Sequence, residues 1–191
     1  LACMVAMGPG KGQAASAALA QKTDMPSMRF KYPTGEAAWP LPGPMANMQA
    51  KHWRSPMTRA TAEATIAAYY AAFNAGNTAG MIDTLHDEFV HHVNEGATRM
   101  GKAAFAEFCA HMSETYREEL KDMVIMANAE GTRGAAEFVV HGQYLKTDPG
   151  LPEAKGQRYV LPAGGFFSLK DGKITRVSTY YNMNDWIRQV S

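Results

Sequence analysis

The chain of 191 residues has a formal net charge of +1, and it is long enough for one domain with an extension. This charge balance gives no field that favours nucleic acid or an anionic membrane, and no apolar run approaches the roughly 20 residues that span a bilayer. The two cysteines, Cys3 and Cys109, do not suggest a disulfide framework. We therefore expect a protein of a reducing compartment, cytoplasmic by default, without a nucleic-acid or membrane partner.

Residues 1–56 differ in composition from the rest of the chain. They hold seven of the ten prolines, with six basic residues against two acidic ones, and they show neither a helical nor a strand period. Three interpretations stay open: an artefactual extension upstream of a true start at Met57, an organelle transit peptide, or a disordered tail. Each predicts that this segment lacks fixed structure and that the folded domain covers residues 57–191.

The first predicted helix begins near Thr58 or Thr61, either of which suits an N-cap. Apolar side chains then recur at helical spacing from Ile66 to Phe73. The run Asn-Ala-Gly-Asn at 74–77 predicts the end of this helix.

Two further helices are predicted before the strands begin. A short one starts at Thr78, and a longer one follows Gly101. We extend the apolar stripe of the longer helix to Tyr116, which places Glu118 and Glu119 on its solvent side.

Alternating or continuous apolar patterns predict strands over residues 88–94, 122–128, 134–145, 158–169 and 174–182. The sequence Lys-Asp-Gly-Lys at 170–173 predicts a hairpin turn. Pro162, Gly164 and Gly165 predict a bulge that curves the fourth strand. Trp186 lies in a short closing helix. The predicted class is α+β, with a cone-shaped, curved antiparallel sheet wrapped around three N-terminal helices and an internal pocket.

Several segments carry a resemblance to a known family: residues 69–76, 89–96, 111–112 with 116–118, 161–167, and 179–182 with Trp186. They are similar to the SnoaL-like, steroid delta-isomerase-related branch of the nuclear-transport-factor-2-like superfamily. The resemblance covers nearly the whole domain and implies the conical fold. It leaves the reaction open, because this fold carries isomerases, cyclases, hydrolases and non-enzymatic dimerising modules.

The resemblance implies two catalytic positions. Ketosteroid isomerase uses an Asp base and an oxyanion hole made of a Tyr and a protonated Asp. Tyr69 matches the Tyr, with a core aromatic as the other interpretation. The base position falls on His92 if the alignment has a one-residue gap, which we prefer, and on Val93 without it. A structural histidine is the alternative role for His92, and strand alternation then directs His91 to the opposite face.

The second Asp of the oxyanion hole falls on Gly164 or Gly165, so no carboxyl can stand there. Steroid isomerisation is therefore not expected. Because His91 and His92 point to opposite faces and no phosphate-binding glycine spacing occurs, we expect neither a metal nor another cofactor.

By alignment, the inner face supplies candidate substrate-binding residues: Asn94, Val140, Tyr144, Thr179 and Tyr181. The outer face is expected to carry Val139, Arg176 and Tyr180. In related folds this outer face forms a homodimer, which we also expect here.

Three functions remain in competition. The first is an enzyme of the isomerase, cyclase or hydratase type that transfers a proton on a small apolar carbonyl compound, with His92 as base and Tyr69, or alternatively Tyr181, as donor. The second is a non-catalytic module that binds an apolar ligand, and the third is a dimerisation domain. The orientation of His92 and the polarity of the pocket distinguish them.

Overall fold

The computed structural model describes residues 57–94, 96 and 98–191, so the predictions for residues 1–56 lie outside the described residues. The elements in chain order are α1 (Arg59–Asn74), α2 (Thr78–Asp83), β1 (Leu85–Val93), β2 (Arg99–Met100), α3 (Gly101–Thr115), β3 (Tyr116–Ala127), β4 (Arg133–Tyr144), β5 (Arg158–Lys170), β6 (Lys173–Tyr181) and α4 (Met183–Val190). Within the described residues, none of the helices combines the length and apolarity that a membrane span requires.

The six strands form one curved sheet in the order β2-β1-β6-β5-β4-β3. Strand β1 runs parallel to β6, whereas every other neighbouring pair is antiparallel. The α+β class is confirmed, and the sheet is mixed rather than purely antiparallel. Parallel pairing of β1 and β6 requires a long crossover, which the intervening helix and strands provide.

Helix α1 is fixed at both ends by short polar side chains. Its start is confirmed at Thr58, whose hydroxyl accepts a hydrogen bond from the Thr61 backbone N–H at 3.2 Å in a capping box. At the other end, the Asn74 amide donates to the Leu120 carbonyl at 3.0 Å and accepts from the Leu120 N–H at 2.9 Å. The Asn74 side chain thereby makes the pair of hydrogen bonds that a neighbouring strand would make, and it connects the end of α1 to β3.

The boundary between α3 and β3 differs from the prediction. Phe105, Phe108 and Met112 form the buried face of α3 as expected, but Tyr116 already has extended backbone angles of −133° and 146°. The residues after it alternate with a period of two, so Glu118 belongs to a strand. Its side chain therefore points to the same face as Tyr116 and Leu120.

Helix α1 lies on the concave side of the sheet because two strand glycines let it approach. A Cβ at Gly165 would lie 2.5 Å from the Tyr70 hydroxyl, and one at Gly134 would overlap the Ile66 side chain. Strand β5 pairs without interruption through Gly164 and Gly165, and its irregularity lies at residues 168–169. The predicted bulge at the glycines is therefore wrong, and Gly165 makes room for α1 instead of bending the strand.

Candidate functional site

A cavity of about 350 Å³ opens between the ends of the helices and strand β3 on the concave side. Its lining includes five apolar or aromatic side chains (Phe73, Met81, Cys109, Leu145 and Tyr116) and five polar ones (Asn74, Thr78, Ser113, Arg117 and Glu118). This volume lies within the usual range for small-molecule sites, which are mostly apolar with a few polar groups.

Glu118 is the acidic side chain in the lining of this cavity. Its Oε1 accepts a hydrogen bond from the Tyr159 hydroxyl at 2.5 Å. Burial raises the pKa of the Glu118 carboxyl above its ordinary value, although the Tyr159 hydrogen bond acts in the opposite direction. Burial, together with the Glu118 charge, raises the pKa of the Tyr159 phenol as well.

Farther along the concave face, β1 presents a buried histidine, His91, which is 0 % exposed. Its ring centroid lies 5.1 Å from that of Phe105 and 5.2 Å from that of Phe108, and it stacks on Phe89. Neither ring nitrogen has a hydrogen-bond partner among the described residues. Burial, helped by the positive charge of Arg99, lowers the pKa of His91 to about 3, so the imidazole is neutral at physiological pH.

Arg99 and Tyr69 complete the surroundings of this histidine. Arg99 is the register partner of His91 across the β1–β2 pair, and its guanidinium carbon lies 3.9 Å from the centre of the Phe108 ring. Tyr69 is 3 % exposed and packs against Phe105, with 6.4 Å between the ring centroids. The His91 imidazole contacts both Phe105 and Phe108. Arg99 packs on Phe108, and Tyr69 packs on Phe105.

The cavity and the histidine lie along the same two helices. Phe73 and Cys109 line the cavity, and Tyr69 and Phe105 lie one helical turn before them on α1 and α3. Phe105, which contacts His91, therefore lies between the imidazole and the residues of α3 that line the cavity.

The two histidines have the reverse of their expected orientations. Phe89, His91 and Val93 are buried on the concave side, so His92 points to the convex side, where its Nδ1 lies 3.4 Å from the Ser178 hydroxyl. The large apolar side chains Phe89 and Val93 set the phase of the strand, and His91 falls between them. His92 therefore does not point to the face on which the gapped alignment expected it.

The other predicted residues occupy varied positions. Val140, Tyr144 and Thr179 are buried on the concave face, and Tyr181 is half-buried. Asn94, at a left-handed φ of 43°, accepts a hydrogen bond from the Tyr181 backbone N–H at 3.0 Å. None of these residues, nor Tyr69 or His92, lines the 350 Å³ cavity.

Tyr144 instead anchors a loop beside the cavity. Its hydroxyl accepts a hydrogen bond from the Asp148 N–H at 2.8 Å, and its ring stacks on Tyr116. The Asp148 carboxylate accepts from the Tyr116 hydroxyl at 3.3 Å and lies 3.2 Å from the His111 ring nitrogen. This network holds the loop that carries Leu145 over the cavity.

Among the residues that the structure describes, no three His, Cys, Asp or Glu side chains come close enough together to hold a metal ion. The polar groups of the concave face are a neutral imidazole, a carboxyl with a raised pKa, an arginine and several phenols. Such groups can move protons and stabilise charge on an oxygen.

A family model described as the SnoaL-like domain matches residues 66–177. The chain belongs to the SnoaL-like domain family. The resemblance seen in the sequence is thereby confirmed at the level of the family. No protein with curated function matches the chain.

Solved structures agree with this membership. A candidate polyketide cyclase of Silicibacter sp. TM1040 is 59% identical, with a TM-score of 0.68, and the match covers 71% of this chain and 98% of that one. A candidate polyketide cyclase of Pseudomonas putida KT2440 is 55% identical, with a TM-score of 0.67 and coverage of 68% and 98%. An NTF2-like protein of Burkholderia xenovorans LB400, 16% identical with a TM-score of 0.58 and coverage of 71% and 99%, shares the fold alone.

Within this SnoaL-like domain, reasoning from the sequence missed Glu118. The helical stripe of α3 was extended too far, which placed this carboxyl on a solvent-facing helix surface. The alternation of Tyr116, Glu118 and Leu120 with charged residues between them was the available signal for a strand.

Proposed function

We propose that this SnoaL-like protein is a cofactor-independent enzyme of the isomerase, cyclase or hydratase type, which transfers a proton on a small apolar carbonyl compound. The observation that carries the proposal is His91, a fully buried imidazole without a hydrogen-bond partner among the described residues. A buried polar group without a partner lowers the stability of the fold by about 1–3 kcal/mol. A catalytic role would account for such a group, because a general base needs a ring nitrogen that is free to accept the proton of the substrate.

In the proposed proton transfer, each of three side chains has one role. Neutral His91 accepts the proton from the carbon next to a carbonyl. Tyr69 donates a hydrogen bond to the oxygen on which the enolate charge forms, and the positive charge of Arg99 stabilises the same negative charge.

The low pKa of His91, about 3, narrows the substrate class. Such a base is always available at neutral pH, but it is weak. It therefore requires an acidic C–H bond, such as one that lies between two carbonyl groups or between a carbonyl and an aromatic ring. The Asp base of ketosteroid isomerase is also a weak base, and oxyanion stabilisation compensates for it there.

Among the proposed reaction types, cyclisation agrees best with the relatives. The proteins of Silicibacter and Pseudomonas described above, both more than half identical, are candidate polyketide cyclases. Polyketides carry repeated carbonyl groups with acidic carbons between them, which suits a weak base. Steroid isomerisation is not proposed, because the position of the second acid falls on Gly164 or Gly165, and the Tyr70 hydroxyl fills the space beside Gly165.

Hydrogen–deuterium exchange tests the proposal without knowledge of the natural substrate. The probe is 2-tetralone in D₂O, whose C1 protons are acidified by both the carbonyl and the ring, and ¹H NMR follows their loss. His91→Gln should slow the protein-catalysed exchange by roughly 10²–10⁴-fold, whereas His92→Gln should leave it within about twofold of wild type.

The melting temperature of each variant shows that it is folded. Loss of exchange in His92→Gln alone would restore the base assignment made from the sequence. Full exchange in both variants, or none in the wild type, would leave a binding module as the better description.

We also propose a homodimer through the convex face of the sheet. Phe166 and Tyr180 are 52% and 48% exposed there, and their rings meet edge to face with centroids 5.8 Å apart. Val160 on the same strand as Phe166 is 48% exposed. Exposed aromatic and β-branched side chains on one sheet face are typical of an isologous interface.

A further inference from the structure

Glu118 has no part in the mechanism proposed above, although it lines the cavity. Burial disfavours the charged form of the Glu118 carboxyl, as it does for the His91 imidazole. A carboxyl with a raised pKa is a stronger base when it is ionised and can donate its proton at a higher pH, which suits general acid–base catalysis.

The position of Glu118 depends on a row of three residues across three strands. Glu118 is the register partner of Gly142, and Gly142 is the register partner of Tyr159. A Cβ at Gly142 would lie 2.5 Å from the Tyr159 hydroxyl and would overlap the ring carbons. The tyrosine ring therefore fills the space of the missing side chain and reaches across one strand to the carboxyl.

This contact fixes the carboxyl in one orientation. The Tyr159 hydroxyl donates to Oε1 at 2.5 Å, and burial of the Tyr159 ring leaves that hydroxyl little other freedom. The space beside Gly142 is thus filled by the side chain that holds Glu118. A short hydrogen bond to a carboxylate is among the stronger polar contacts in proteins.

The surroundings of the carboxyl suit a catalytic group. Phe73, Met81, Cys109 and Leu145 give the cavity an apolar wall, and four polar side chains line it beside Glu118: Asn74, Thr78, Ser113 and Arg117. An apolar wall strengthens a proton transfer at the carboxyl, since the charge that develops is poorly screened.

We infer that Glu118 is a second catalytic proton-transfer group, which acts on a small, partly apolar molecule in the 350 Å³ cavity and is positioned by Tyr159. The inference rests on the proposed proton-transfer function but on a different residue. In a cyclisation, the carboxylate form of Glu118 takes the proton from the carbon next to a carbonyl, and the enolate carbon forms a bond to a second carbonyl carbon. The π electrons of that carbonyl move to its oxygen, which takes the proton back from the Glu118 carboxyl. Glu118 is then a carboxylate again, as at the start.

The Kemp elimination tests Glu118 directly. In 5-nitrobenzisoxazole a base removes the proton at C3, the N–O bond breaks, and a coloured cyanophenolate forms without any other reactant. The full-length wild type should catalyse this reaction, and Glu118→Gln should lose roughly 10²–10⁴-fold of the catalysed rate. Glu119→Gln is the matched control, because Glu119 is exposed on the opposite face and pairs with Lys121. That variant should stay within about twofold of wild type.

Tyr159→Phe removes the hydroxyl that orients Glu118 but keeps the buried ring, so it distinguishes these two contributions of Tyr159. The Tyr159 hydrogen bond lowers the pKa of Glu118, so its loss should move the midpoint of the pH–rate profile to higher pH. A variant that merely packs less well would lose rate without this shift. The same variant carries the test if Glu118→Gln fails to fold.

Equal elimination rates in Glu118→Gln, Glu119→Gln and wild type would overturn the inference. An unchanged midpoint in Tyr159→Phe would overturn the role of Tyr159. Because His91 is tested by exchange in 2-tetralone and Glu118 by elimination, the two assignments can fail separately.

Discussion

The buried imidazole of His91 makes the stability of the protein depend on pH in a particular direction. The folded pKa is about 3, against about 6.5 for histidine in an unfolded chain. Between these two values the unfolded state binds a proton that the folded state does not. Stability contributed by the neutral imidazole is therefore fully present above pH 6.5 and is lost as pH falls toward 3.

The magnitude follows from the shift. One pH unit below the unfolded pKa costs about 1.36 kcal/mol, so acidification to pH 5.0 should cost about 2 kcal/mol at this one residue. Urea unfolding at pH 7.5 and pH 5.0 measures this loss in the wild type and in His91→Leu, whose side chain cannot titrate. The wild type should lose about 2 kcal/mol more than the variant.

The difference between wild type and His91→Leu isolates the contribution of His91, because the other titratable groups are the same in both proteins. The raised pKa of Glu118 acts in the opposite direction, because its folded state holds a proton more tightly and gains stability on acidification. This contribution is common to wild type and variant, so it cancels in the difference. An equal loss of stability in both proteins would refute the reasoning, since His91 would then titrate equally well in the folded state.

Three further predictions concern the framework. Gly142→Ala should lower the free energy of unfolding by about 1–3 kcal/mol, since its methyl group overlaps the Tyr159 ring; an unchanged urea midpoint would contradict this contact. Asn74→Ala should cost about 1–3 kcal/mol because it leaves a partly buried backbone N–H and C=O without partners, and thermal melting that matches wild type would argue against the clamp. Phe166→Ser combined with Tyr180→Ser should convert a dimer into a monomer in light scattering, while a monomeric wild type would remove the proposed interface.

The helices and the overall class were predictable because periodicity reports burial directly. The apolar stripe of α1 and its Thr58 cap were read correctly from local spacing. The hairpin at residues 170–173 was also predictable, since Asp171 and Gly172 both adopt a positive φ, as that turn requires. These features depend on neighbours within a few residues.

The features that were not predicted correctly depend on contacts between segments that are distant in the sequence. The start of β3 at Tyr116 is decided by pairing with β4, which overrides a helical stripe that continues smoothly to that residue. The parallel pairing of β1 with β6 likewise joins segments that lie far apart in the sequence. Local periodicity does not contain this information.

The site was only partly predictable for the same reason. Tyr69 belongs to a strong helical stripe, so its inward direction was evident. His91 and His92 are adjacent and chemically identical, and a one-residue choice exchanges their faces. Glu118 becomes a site residue only because Gly142 and Tyr159, from two other strands, bring a hydroxyl to it.

The most direct test of the central claim is the pH dependence of carbon deprotonation by His91. The rate assigned to this residue is the difference in 2-tetralone exchange between wild type and His91→Gln. A pKa of about 3 predicts that this difference stays constant from pH 5 to pH 8, because the imidazole is neutral throughout. A rate that falls with a midpoint near 6.5, the ordinary value for an imidazole in water, would contradict the buried base on which this account depends.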